Sequence, residues 1–251
     1  MELNDKHLWR TRAYVNGEWI DADDGATHTV TNPANGEVIA DVARCGAAET
    51  RRAIEAAHTA QIAWRAEPAK ARSQLLRRLF DLMLEHQEDL ARIMTLEQGK
   101  PLHEARGEIL YGASFVEWFA EEAKRVYGDT IPGPAPDRRI VVVKEPVGVV
   151  GCITPWNFPN AMLTRKIGPA LATGCTVVCK PANATPLSAF AIAELADRAG
   201  FPPGVVNVVA GVTAQIGAEI TGNALVRKVT FTGSTAVGKE LIKACADTVK
   251  T

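Results

Sequence analysis

Val147-Gly148-Val149-Val150-Gly151-Cys152-Ile153, running into Thr154-Pro155-Trp156-Asn157-Phe158-Pro159, decides the fold. It is a strand-sized, β-branched run that ends in a proline-bearing loop and leads into a helical stretch. Residues 175–179 repeat the arrangement and run into Lys180-Pro181-Ala182-Asn183-Ala184-Thr185-Pro186. Residues 205–209, ending at Gly211, and residues 229–231, ending at Thr232-Gly233-Ser234, repeat it twice more. Strands alternating with helices predict an α/β fold with a doubly wound, mostly parallel sheet. Ligands of such sheets bind beyond the carboxyl ends of the strands, where all four loops lie.

Upstream, the first forty residues carry short alternating runs broken by Asn16-Gly17, Asp24-Gly25 and Asn35-Gly36, which predict an N-terminal β-arm. From Ala47 the spacing becomes helical. Ile54, Ala57, Ile62 and Trp64 mark one helix, and Leu75 through Met94 a second, stopped by Gly99 with Lys100-Pro101. A third runs to about Val126, and its stripe of Ile109, Phe115, Trp118 and Phe119 reads as core. A connector with Pro132, Pro134 and Pro136 then hands over to a β-rich stretch. No internal repeat is present.

Composition removes several function classes. The 28 basic and 29 acidic residues nearly cancel, so neither nucleic acid nor a membrane surface is an expected partner. The apolar runs fall short of the ~20 residues of a membrane helix, and the N-terminus has no leader pattern, so cytoplasm is the expected compartment. Cys45, Cys152, Cys175, Cys179 and Cys245 lack zinc-type spacing, and the three middle ones sit in apolar runs as small buried residues. The five histidines show no metal spacing either, and no metal is expected.

The loops carry the chemistry. Gly233-Ser234 opens a helix over 235–246, whose free N–H groups and positive dipole end suit a phosphate, with Ser234 available as N-cap. No Gly-x-Gly-x-x-Gly is present. The run from Gly233 to Lys239 matches an ATP-binding Gly-x4-Gly-Lys, but Glu240 stands where magnesium needs Ser or Thr, which argues against ATP binding. Lys180 at a strand end can meet ribose hydroxyls or a 2′-phosphate, or simply be solvated. Asn157 reads locally as a cap for a helix starting near Pro159. Arg165, eight residues on, falls roughly on the same helical face and can serve a carboxylate, an ion pair or solvent.

In order and wording these segments resemble the NAD(P)-dependent aldehyde dehydrogenases, with Val15-Asn16-Gly17-Glu18-Trp19, Thr95-Leu96-Glu97-Gln98-Gly99-Lys100-Pro101 and Gly233-Ser234-Thr235-Ala236-Val237-Gly238 extending the likeness over nearly the whole chain. The surrounding wording is most similar to the succinate-semialdehyde branch. The resemblance implies that Asn157 is the oxyanion-hole donor and that Arg165 binds the carboxylate of an aldehyde substrate such as succinate semialdehyde. It places the cofactor against Ile153, Thr154, Pro155, Trp156, Lys180, Ala182, Asn183, Gly211, Gly217, Phe231, Thr232, Gly233, Ser234 and Val237. Where family members that hold a plain ribose carry glutamate, this chain has Asn183, so NADP is slightly favoured over NAD.

The same resemblance divides the chain into 1–127, the β-arm and helical part of a cofactor-binding domain, 128–146, a linker with strands of an oligomerisation module, and 147–251, a Rossmann-like part. It implies a homo-oligomer for the full-length protein. The family's general base, in a Glu-Leu-Gly-Gly segment, and its catalytic cysteine are expected beyond Thr251, so this chain alone is expected to be inactive. The alternative from the residues is a nucleotide-binding or assembly module without activity of its own.

Overall fold

The structure, a computed structural model, describes residues 2–250. A short 3-10 turn at Lys6–Leu8 precedes β1 (Ala13–Val15) and β2 (Glu18–Ile20), which are joined by the Asn16-Gly17 turn. Both turn residues take positive φ, 53° and 82°, as a two-residue hairpin of the primed type requires. β3 (Thr27–Thr31) and β4 (Val38–Ala43) form a second hairpin, turned at Asn35-Gly36. Asp24-Gly25 joins the two hairpins and makes none of its own.

Helices follow: α1 (Ala47–Trp64), α2 (Ala69–Glu85), α3 (Gln87–Gln98) and α4 (Leu102–Glu122). Three helices precede Gly99, where the apolar spacing predicts two. The chain bends at His86, with φ −100° and ψ 17°, and neither glycine nor proline marks the place. Met83 and Leu90, seven residues apart and both buried, keep one apolar stripe running across the bend. Gly99 does end α3, in the left-handed region at φ 81°.

The aromatic stripe of α4 also needs correction. Ile109, Ala113, Val116 and Ala120 form the buried stripe, at spacings of three and four, and α4 packs on α2, α3 and α5. Trp118 lies off that stripe and is 61% exposed, while Phe115 and Phe119 are half-buried. Ile62 on α1 is likewise exposed rather than core.

β5 (Asp129–Pro132) and β6 (Arg139–Val142) form an antiparallel ribbon separate from every other strand and exposed throughout. The remainder runs β7 (Val149–Ile153), α5 (Ala161–Ala172), β8 (Thr176–Lys180), α6 (Leu187–Ala199), β9 (Val206–Val208), α7 (Thr213–Gly222), β10 (Val226–Phe231) and α8 (Thr235–Cys245). The main sheet has the order β10-β7-β8-β9-β1-β2. Its first four strands are parallel, and β1 and β2 extend it in antiparallel fashion, so the N-terminal hairpin completes the sheet.

Alternate side chains of the central strands serve two cores. Val150, Cys152, Val177, Cys179 and Val208 face the helices α2, α4, α5 and α6. Val149 and Val178 face α1 and α7, with Ile54, Ala57, Ile216 and Ile220. Burial on both faces is what selects near-continuous β-branched runs for these strands. Gly151 is needed on the second face, because a Cβ there would run into Ile220 of α7. No described helix is long and apolar enough to cross a membrane.

Candidate functional site

From β7 the order steps to β8 and β9 on one side, whereas β10 returns to the other side of β7. The crevice beyond a parallel sheet opens at such a reversal. Its rim is built from strand ends in register: Ile153 lies beside Lys180 on one side and Phe231 on the other. Past these ends, Thr154 N donates to Lys180 O at 3.1 Å and Thr232 N to Ile153 O at 3.1 Å, so the loops leave the sheet together.

A cleft of about 870 Å³ lies here between α7 and α8. Of the residues singled out in the sequence, Ile153, Lys180, Gly217 and Val237 line it, together with Thr213 and Thr235. A Cβ on Gly217 would meet nothing within 4 Å, so that side of α7 is open. Ser234 caps α8, its Oγ accepting from Val237 N at 3.4 Å. Thr235, Ala236 and Val237 of that first turn line the cleft together with Lys180, Lys239 and Glu240. A helix N-terminus and two lysines are donors that suit a dinucleotide phosphate, with the Glu240 carboxylate also in the lining.

Lys180 is buried, 5% exposed, rather than solvated. Its Nζ donates to Pro181 O at 3.0 Å and to Asn183 Oδ1 at 3.4 Å, and burial pushes its pKa down to about 8. Asn183 is a staple between two loops: its Nδ2 donates to Gly211 O at 2.6 Å while its Oδ1 accepts from Gly211 N at 3.4 Å. Gly211 has φ 142°, and a Cβ there would collide with the Cys45 backbone, so only glycine allows the bridge between them. His28 of β3 closes the same corner, with Nε2 3.2 Å from Asn183 O. Burial holds its imidazole pKa below the ordinary histidine value. Nothing in the sequence tied His28 to this loop.

Thr154, Pro155, Trp156 and Asn157 follow the rim outward. Thr154 is buried with its Oγ without a hydrogen-bond partner among the described residues, and Trp156 is 59% exposed. Asn157 does not cap a helix: α5 starts at Ala161 behind Asn160, and residues 156–160 form bends and a turn. The helical extrapolation from Asn157 to Arg165 therefore fails, although both lie toward the same end of α5. Thr232 is not free, since its Oγ accepts from the buried Lys166 Nζ at 2.7 Å. A Cβ on Gly233 would run into the Phe231 ring, and Ala182 lies half-buried in the loop after Lys180.

Arg165 has no carboxylate partner among the described residues. Its guanidinium donates to Tyr111 Oη at 2.8 Å and lies 4.7 Å from the centre of the Phe115 ring. Tyr111 and Phe115 stack edge-on at 4.8 Å. These two residues of α4 were read only as helix and core, because spacing alone cannot tell a stripe facing core from one facing a site.

A second layer supports the loops. Glu97, 2% exposed, accepts from Leu187 N at 2.7 Å and Ser188 N at 2.8 Å, the first amides of α6 after the Lys180 loop. Burial raises its pKa to about 7, while the two amides and the helix dipole favour the ionised form. E97A leaves two buried amides unsatisfied and is expected to cost about 2–4 kcal/mol. A fall of roughly 5–15 °C in the thermal unfolding midpoint checks it; an unchanged midpoint would deny Glu97 this role.

The chain is 64% identical, over its whole length, to glutarate-semialdehyde dehydrogenase of Pseudomonas putida, and 61% identical to the NADP+-dependent succinate-semialdehyde dehydrogenase of Escherichia coli. It spans about half the length of these curated relatives, 52% of each. Its structure superposes with a TM-score of 0.98 on succinate-semialdehyde dehydrogenase from Burkholderia pseudomallei, at 58% identity, covering 100% of this chain and 52% of the other. The model of the aldehyde dehydrogenase family matches residues 19–251. A sheet with four parallel strands and a cleft at its reversal point agrees with this match, which places the chain in the aldehyde dehydrogenase family.

Proposed function

We propose that the chain is the cofactor-binding portion of an enzyme that oxidises a short aldehyde bearing an anionic group to the corresponding acid. Succinate semialdehyde or a near homologue is the substrate, and NADP+ is favoured over NAD+. The observation that carries this reading is the cleft with Lys180 at its rim and Asn183, not a carboxylate, beside it.

The fit of the cofactor rests on the chain's own donors. The α8 amides would hold the pyrophosphate, Gly217 would leave room against α7, and Lys180 would meet the adenosine ribose and its 2′-phosphate. Asn183 stays paired with Gly211 and so contributes by being uncharged. Ile153, Thr154, Pro155, Trp156, Ala182, Phe231, Thr232, Gly233, Ser234 and Val237 shape the surrounding walls. Bound there, the nicotinamide supplies the hydride acceptor. Asn157 donates its side-chain amide to the oxygen of the aldehyde carbon as that oxygen becomes negative. Arg165 receives the substrate's anionic end.

The thiol that attacks the aldehyde is not among this chain's five cysteines, all of which are buried. Burial raises the Cys45 thiol to about 12, and Cys179 also lies well above the ordinary range because of its neighbour Cys152 and its burial. A buried thiol of raised pKa is a poor nucleophile. The chain alone is expected to bind cofactor without turning over aldehyde. Residues 1–127 and 147–251 make up the cofactor-binding unit, and 128–146 an oligomerisation segment. Ile140, at 45% exposure, Val141 and Val142 give that ribbon an apolar surface.

Calorimetry of the purified chain tests the reading. NADP+ is expected to bind at pH 7. Because the folded pKa of Lys180 is about 8, its charge is lost between pH 7 and 9, and affinity for NADP+ should fall roughly 5- to 10-fold. NAD+ affinity should change less than about 2-fold, because it brings no 2′-phosphate. An NADP+ affinity that does not fall removes Lys180 from the phosphate site. Turnover of succinate semialdehyde by the purified chain would refute its inactivity.

A further inference from the structure

We propose that Lys100 and Glu108 form a buried clamp that fixes the backbone around Asn157 and thereby positions its side-chain amide. The inference rests on the reading of Asn157 as oxyanion donor. The pair sits where α3 turns into α4, outside the cofactor cleft. Its side chains are 10% and 1% exposed, and Lys100 Nζ meets Glu108 Oε2 directly.

Each partner reaches one end of the same turn. Lys100 Nζ donates to Asn157 O at 3.0 Å and lies 3.8 Å from the centre of the Phe158 ring. Glu108 Oε1 accepts from Asn160 N at 3.0 Å and Ala161 N at 3.2 Å, the amides that open α5. The carbonyl of 157 and the amides of 160 and 161 are thus tied to one ion pair. Gly112 makes the approach possible, because a Cβ there would collide with Asn160 Oδ1.

The clamp leaves the Asn157 side chain itself free: it makes no hydrogen bond with the described residues. A loop whose backbone is held while its functional amide is unengaged is what an oxyanion donor needs, since the donor must be in place before charge develops. Capping α5 alone would account for Glu108 but not for Lys100. A buried ion pair is weak as a source of stability, so a positional role better explains the bond to Asn157.

The test is a double-mutant cycle in the full-length active enzyme carrying this sequence. K100M is expected to lower kcat roughly 10- to 100-fold, the scale of a misplaced catalytic group, with the Kd for cofactor unchanged. K100R, which keeps the charge and a donor, should recover part of the loss. On top of N157A, K100M should cost less than about 3-fold more, because the group it positions is gone. No loss in K100M, or a loss that adds in full to that of N157A, overturns the clamp. An N157A enzyme with undiminished kcat overturns the oxyanion reading and the clamp with it, so the two failures are told apart by which variant is silent. If K100M does not fold, E108Q, which keeps an acceptor for the Asn160 and Ala161 amides, carries the same cycle with the same criteria.

Discussion

Replacing Asn157 by alanine in the active enzyme carrying this chain is expected to lower kcat for aldehyde oxidation roughly 100- to 1000-fold. A preorganised donor acts on the oxygen only as its charge develops, so its loss appears in kcat rather than in ground-state binding. Asn157 lies on the rim beyond Ile153 and does not line the cleft between α7 and α8, so the Kd for NADP+ should stay within about 2-fold. N157D should do worse than N157A, because a carboxylate placed beside a developing oxyanion repels it. Steady-state kinetics with cofactor titration decides: a kcat within about 3-fold of the parent would exclude Asn157 as the donor.

The strand–loop–helix pattern was legible because both faces of the central strands are covered, which forces the β-branched runs and leaves turn residues to punctuate them. The two-residue hairpin at Asn16-Gly17 was legible for a related reason, since few residues tolerate its positive φ values. The break at His86 was not, because the buried stripe from Met83 to Leu90 continues across it. Long-range partners were invisible for a deeper reason. Spacing along the chain says nothing of how Glu97 reaches Leu187, how Lys100 reaches Asn157 or how Tyr111 reaches Arg165. Asn183 shows the limit from the other side: its lack of charge is plain in the sequence, but its use as a staple on Gly211 needed the loops in place. The strand ends and the loops after them could be placed from sequence, whereas the layer that holds them could not.

That layer also holds Arg165. The variant R165M is expected to lower kcat/KM for succinate semialdehyde by roughly 100- to 1000-fold, as for truncating one side of a hydrogen-bonded charge pair. For butanal, which has the same chain length and no carboxylate, the change should stay below about 5-fold. Arg165 pairs with no acidic side chain among the described residues. An arginine held by a hydroxyl and an aromatic face keeps its charge uncompensated and several N–H donors unused. Tyr111 and Phe115 orient the guanidinium without neutralising it, which is the condition for recognising an incoming anion. R165K should lose most of the discrimination too, since an ammonium cannot bond a carboxylate through two parallel donors or stack on Phe115 in the same way. Y111F removes only the acceptor that orients Arg165 and should cost a few-fold at most, about 1 kcal/mol. Equal losses for the two aldehydes in R165M would assign Arg165 to the shape of the loop rather than to the anion, and the substrate class would then have to be sought elsewhere in the enzyme.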